Sequence, residues 1–141
     1  MTGRGGTTMR HEGLAAWHRV IAEGNPPEEL AKILAEDAVF HSPVVHTPQV
    51  GRDKVIAYLG AAGQVLGAPG GPQKFTYVRE LVDGHEVCLE FTAEIDGVKI
   101  NGVDLIAFDL DWKIRDFKVM VRPLKAINKI WQLMAAELEK T

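Results

Sequence analysis

Cysteine, long apolar segments and clusters of positive charge are scarce in this sequence. Cys88 is the only cysteine among 141 residues, so no disulfide can form within the chain. No stretch approaches the ~20 apolar residues of a membrane span, and residues 1–10 lack the apolar run of a signal peptide. The net charge of −3, without a long basic run, disfavours non-specific nucleic-acid binding. These absences predict a cytoplasmic protein without membrane or nucleic-acid partners, with residues 1–10 as a flexible tail.

Apolar residues recur at helical spacing in the first half of the chain. The pattern predicts helices over 11–25, 26–34 and 52–66, with a short strand at 38–43 between the last two. Gly24 and Asn25 are typical of a helix end, and the Pro-Pro-Glu-Glu sequence that follows is typical of a helix start. The first half is therefore mainly helical.

The second half of the chain alternates apolar and polar residues, as β-strands do. The pattern predicts a last helix from Leu124 and, before it, four strands joined by short turns, over 74–84, 86–97, 98–110 and 112–123. Short turns favour an antiparallel sheet. Helices packed on one face of such a sheet make an α+β fold, which we expect to form one domain over 11–141.

Asp104 is a carboxylate in an apolar strand, 98–110. Alternation places it on one face with Ile106 and Phe108. Burial would raise the pKa of this carboxyl, and a neutral carboxylic acid is a hydrogen-bond donor. The alternative is an aspartate that bonds backbone amides or an arginine and only fixes the fold. The residues alone leave both interpretations open.

Three stretches of the sequence resemble the nuclear transport factor 2-like superfamily, which includes ketosteroid isomerases, limonene epoxide hydrolases and SnoaL-like polyketide cyclases. They are AAWHRVIAEGN at 15–25, LAEDAVFHSPVVHTPQVGRDKVIAYL at 34–59 and VDLIAFDLDWKI at 103–114. The resemblance covers roughly residues 12–122. It implies a cone-shaped, curved antiparallel sheet wrapped around the N-terminal helices, to which this chain adds a C-terminal helix.

The same resemblance suggests catalytic residues. Asp104 falls on the neutral aspartic acid of ketosteroid isomerases, which donates a hydrogen bond to the enolate oxygen. Trp17 falls on the tyrosine that supplies the second donor, and an indole N–H can still donate. Ser42 occupies the position of the isomerase base, so ordinary ketosteroid isomerase activity is not expected. His46, in the loop after the short strand, is the candidate replacement for that base.

The interior of the cone is expected to accept a flat hydrophobic molecule with one oxygen for Asp104 to meet. The residues predicted to contact it are Phe40, Ser42, Tyr58, Val87, Leu89, Phe91, Ile106, Phe117 and Val119. No cofactor or metal is predicted, because the histidines lack the spacing of a ligand set. The apolar outer face of the sheet predicts a homodimer.

Functions of different classes remain open. In the first, the protein is an isomerase- or cyclase-like enzyme acting on an oxygenated ring compound. Asp104 and Trp17 then stabilise an oxyanion while His46 moves the proton. In the second, it is a non-catalytic ligand-binding or protein-interaction module with a structural Asp104; a transport adaptor is a third possibility. An open cavity that reaches both Trp17 and His46 would favour catalysis, and a filled core would favour a structural role.

Overall fold

A computed structural model describes residues 11–140, so the tail expected at 1–10 lies outside the described residues. Helices and strands follow each other in the order α1 (Glu12–Ala22), α2 (Pro27–Ile33), β1 (Leu34–His41), β2 (Gln49–Val50), α3 (Arg52–Leu66), β3 (Thr76–Asp83), β4 (Glu86–Ile95), β5 (Val98–Phe108), β6 (Ile114–Arg122) and α4 (Leu124–Leu138). None of the described helices is both long and apolar enough to span a bilayer.

The six strands form one curved sheet in the order β2-β1-β6-β5-β4-β3. Strands β3 to β6 pair antiparallel through short turns, as the alternation predicts. Bulges in β3, between Tyr77 and Arg79, and in β6, between Ile114 and Asp116, bend the sheet. The α+β fold with a curved sheet and an added C-terminal helix is therefore confirmed.

One pairing differs from the expected antiparallel sheet, because β1 runs parallel to β6. These strands are separated in sequence by α3 and by the other strands, so a long crossover connects them rather than a hairpin. A connection of that length allows parallel pairing, whereas a two-residue turn does not. Strand β1 also begins at Leu34, earlier than the start at 38 that the apolar pattern indicates.

The concave face of the sheet packs against the helices and forms the core. On β5 the buried side chains Ile100, Ile106 and Phe108 share that face with Asp104, which is 6% exposed. From the helices, Trp17 and Val20 of α1 are buried in the same core cluster. The core therefore surrounds Asp104 with apolar side chains at the centre of the sheet, where β5 lies between β4 and β6.

Candidate functional site

A cavity of about 60 Å³ lies between the concave face of the sheet and the helices. Helix α1 contributes Ile21, β6 contributes Val121, and α4 contributes Ile130 and Met134. Among the described residues that line the cavity, those with polar side-chain atoms are Trp17, Asn25, Ser42 and Asp104. The site is thus a small apolar space with a few polar groups.

Asp104 is the ionisable residue of this lining. Burial raises the pKa of its carboxyl from 3.8 to about 7, against the opposing effect of a hydrogen bond from Tyr77. That bond is short, 2.6 Å from Oη of Tyr77 to Oδ2 of Asp104. With a pKa near 7, both the acid and the carboxylate are populated at neutral pH, so Asp104 can donate or accept a proton there.

A directed chain of hydrogen bonds ends on Asp104. The Nε1–H of Trp17 donates to Oη of Tyr77 at 3.0 Å, and Tyr77 donates in turn to Oδ2 of Asp104. An indole can only donate, so it directs the phenol proton towards the carboxyl. The other oxygen, Oδ1, makes no hydrogen bond to the described part of the chain. It is the atom of Asp104 that is free to hydrogen-bond to another group.

Tyr77 is the site residue that sequence reasoning missed. It lies on β3 opposite Phe91 of β4, on the concave face. Burial, and next the charge of Asp104, raise the pKa of its phenol well above 10, so it stays protonated and remains a donor. Tyr77 lies in the strand predicted over 74–84, but the pairing register that brings it to Asp104 involves distant residues.

The catalytic residues suggested by the sequence are only partly brought together. Trp17 and Asp104 line the same cavity and are linked through Tyr77. His46 is exposed in the loop between β1 and β2, where it lines a surface depression together with His41. His41 is engaged with Oδ1 of Asp116 at 2.9 Å. The cavity therefore reaches Trp17 but not His46.

The residues suggested for ligand contact fall into two main groups. Four line the cavity: Phe40, Ser42, Phe117 and Val119. Four are buried core residues that do not line it: Val87, Leu89, Phe91 and Ile106. Tyr58 lies half-buried outside the lining, with its ring centroid 5.5 Å from that of Phe40. Part of the interior is filled because Phe75 stacks on Phe91, with ring centroids 5.1 Å apart.

Comparison with known proteins identifies the family. Residues 14–117 match the model of the SnoaL-like domain. The chain belongs to the SnoaL-like family. A steroid delta-isomerase from Pseudomonas aeruginosa is 36% identical to this SnoaL-like chain. The match covers 91% of this chain and 90% of the isomerase, with a TM-score of 0.82.

Other structural neighbours support the same fold. A protein conserved in bacteria with a cystatin-like fold, from Silicibacter pomeroyi, is 33% identical over 89% of this chain and 84% of its own, with a TM-score of 0.80. An NTF2-like protein from Mesorhizobium loti, 19% identical over 84% of this chain and 98% of its own, matches in fold with a TM-score of 0.66. No curated protein matches the sequence significantly. The resemblance to the nuclear transport factor 2-like superfamily is confirmed.

Proposed function

We propose that this SnoaL-like protein binds a small, mostly apolar ring compound through an oxygen atom that hydrogen-bonds to Asp104. The observation that carries the proposal is the chain Trp17–Tyr77–Asp104, which occupies Oδ2 and leaves Oδ1 for a ligand. The apolar lining of the cavity suits a ring, and a single polar contact of this kind fixes the orientation of a bound molecule. When protonated, Asp104 donates to a carbonyl or hydroxyl oxygen.

A second candidate function is proton transfer catalysed by Asp104 itself. The titration of its carboxyl near pH 7 favours it, as does the 36% identity to a steroid delta-isomerase. In this scheme the carboxylate removes a proton from the carbon beside a ketone and returns it to another carbon of the enolate. His46 takes no part, because it lies outside the cavity.

Binding of phenol and of β-naphthol, followed by calorimetry, tests the proposed function. We expect saturable binding to the wild type and at least about tenfold weaker binding to Asp104→Ala, because a desolvated hydrogen bond to the carboxyl is lost. Asp104→Asn is the matched control, since it keeps the shape and a hydrogen-bonding group. Equal affinity for all three proteins, with the variants folded, would contradict the proposal.

The wild type and Asp104→Asn together distinguish ligand binding alone from proton transfer. An unconjugated steroid ketone is supplied, and the absorbance of the conjugated product is followed. If Asp104 transfers the proton, Asp104→Asn keeps the binding of the naphthol but loses turnover, since an amide cannot accept the proton. If the protein only binds, neither the wild type nor the variant converts the ketone.

We further propose that two copies associate through the convex face of the sheet. There the register places Leu81 beside Cys88 and Cys88 beside Leu105, and Val103 beside Met120. Leu81 is 58% exposed and Met120 is 48% exposed, although both belong to this apolar patch. Such a patch is a typical interaction surface.

Charges around the convex patch make a second copy the suitable partner. Ion pairs border it and supply charges of both signs, Arg79 with Glu90 at 2.9 Å and Arg115 with Glu86 at 3.5 Å. A face with both signs can be complementary to itself across a two-fold axis. We expect sedimentation equilibrium to give twice the chain's 15.5 kDa, and Met120→Glu to shift the mass towards one chain. A wild-type monomer at high concentration would contradict this proposal.

A further inference from the structure

The cavity has a second polar group with an unmet hydrogen bond, the side chain of Asn25. Asn25 is 5% exposed and lines the cavity together with Asp104. Its Nδ2 donates to the carbonyl oxygen of Leu59 at 2.9 Å. Its Oδ1 is buried and has no hydrogen-bond partner within the described residues. A buried acceptor left unpaired is destabilising and rare in folded proteins, so a partner for this oxygen is to be expected.

The backbone holds Asn25 firmly in this position. It lies in the turn between α1 and α2 with φ of 57°, a left-handed conformation that asparagine tolerates better than most residues. Its N–H donates to the carbonyl of Val20 at 3.1 Å. On the α3 side, a Cβ at Gly63 would come within 3.2 Å of Nδ2, so the glycine leaves room for the amide. The amide nitrogen is thus hydrogen-bonded to α3, and the amide oxygen has no partner among the described residues.

Asn25 and Asp104 belong to different walls of the cavity. Asn25 comes from the helical layer and Asp104 from β5 of the sheet. Their chemistry also differs, since Oδ1 of Asn25 can only accept whereas Asp104 can donate when protonated. A ligand that meets both would need an oxygen at one position and a hydrogen-bond donor at another.

Building on the proposed function, we propose that Oδ1 of Asn25 accepts a hydrogen bond from a hydroxyl or N–H group of the ligand whose oxygen meets Asp104. The ligand class is therefore a ring compound with two polar substituents, of which at least one is a donor. A compound with one polar substituent would hydrogen-bond to only one of these two residues. The two contacts together would select one orientation of the ring in an otherwise apolar space.

A series of small phenols tests this inference. Phenol carries one hydroxyl, hydroquinone and resorcinol carry two, and their monomethyl ethers replace the second hydroxyl by a group that cannot donate. We expect one of the two diols to bind at least about fivefold more tightly than phenol, as one further hydrogen bond provides. Its monomethyl ether should show no such gain. Calorimetry on the wild type alone decides this, whatever the stability of any variant.

Variants then show which residue provides the tighter binding of the diol. Asn25→Gly tolerates the positive φ and removes the acceptor, so the ratio of the phenol and diol dissociation constants should fall to about one. Gln73→Ala is the matched control, because Oε1 of Gln73 is also buried and unpartnered among the described residues but Gln73 does not line the cavity. It should keep the ratio.

The outcomes separate this inference from the proposed function. If phenol binds in an Asp104-dependent way and neither diol binds more tightly, the role of Asn25 is overturned while the proposed function stands. The role of Asn25 is overturned as well if the methyl ether gains as much affinity as the diol. If none of the phenols binds, the proposed function itself fails.

Discussion

Replacing Asp104 by asparagine is expected to stabilise the protein by about 4 kcal/mol more at pH 8 than at pH 4. The pKa of this carboxyl rises from its ordinary value of 3.8 to about 7 in the folded protein. At pH values between these two pKa values, the carboxyl of Asp104 is protonated in the folded state and ionised in the unfolded state. Stability from this group is therefore fully present below pH ~4 and is lost as pH rises through ~7. Asparagine keeps the shape, accepts the bond from Tyr77 and does not ionise.

Urea unfolding of both proteins at a series of pH values measures this difference, since groups that titrate alike in both cancel. The charged or titratable neighbours of Tyr77, namely His18 and Glu80, are present in both proteins. Tyr77→Phe tests whether the titration of Asp104 causes the stability loss. It removes the hydrogen bond that lowers the pKa of Asp104, so the loss should extend to higher pH. A stability difference that is independent of pH would show that Asp104 is solvated in the folded state.

Introducing a carboxylate with Ser42→Asp is expected to give the protein steroid isomerase turnover about 10²-fold or more above the wild type. Ser42 occupies the position of the isomerase base by resemblance, and it lines the same cavity as Asp104. Its Oγ accepts the N–H of Val44 at 3.1 Å, a bond that an aspartate can also accept, so the loop can keep its conformation. The new carboxylate would take the proton beside the ketone while neutral Asp104 donates to the oxygen.

Turnover of an unconjugated steroid ketone at neutral pH is the measurement. Ser42→Asn has a similar size without a basic oxygen and should show no gain. Combining Ser42→Asp with Asp104→Asn should weaken the gain, because the neutral acid is lost. Equal turnover in Ser42→Asn and Ser42→Asp would show that the effect comes from the shape of the loop and not from proton transfer.

Local sequence pattern was sufficient for the helices, for strands β3 to β6 and for the face on which Asp104 lies, but it missed the two-residue strand β2. Alternation along β5 placed Asp104 with Ile106 and Phe108, and all three are buried on the concave face. The apolar pattern also predicts α3 correctly, since its predicted and observed bounds agree at 52–66. These features depend on a few neighbouring residues, so a single sequence contains them.

Long-range pairing was not accessible in the same way. The contact of Tyr77 with Asp104 depends on the register across β3, β4 and β5, and a bulge after Tyr77 alters it. The parallel pairing of β1 with β6 likewise joins segments that are distant in sequence. The residue type makes His46 a candidate base, because imidazole is the side chain that ordinarily exchanges protons near neutral pH. The exposure of His46 depends on how its loop packs, which the residue type does not determine.

Helix α4 forms part of the cavity wall, so under the proposed function its position bears on how a ligand enters and leaves. Ile130 and Met134 of α4 form part of a wall around a space of only about 60 Å³. Under the proposed function, a ligand larger than a single small ring requires this cavity to widen, and α4 is one of its walls. The apparent association constant of such a ligand is then its intrinsic association constant multiplied by the fraction of time for which the wall is displaced. Substitutions in the C-terminal helix would thus change how tightly a ligand binds without touching Asp104.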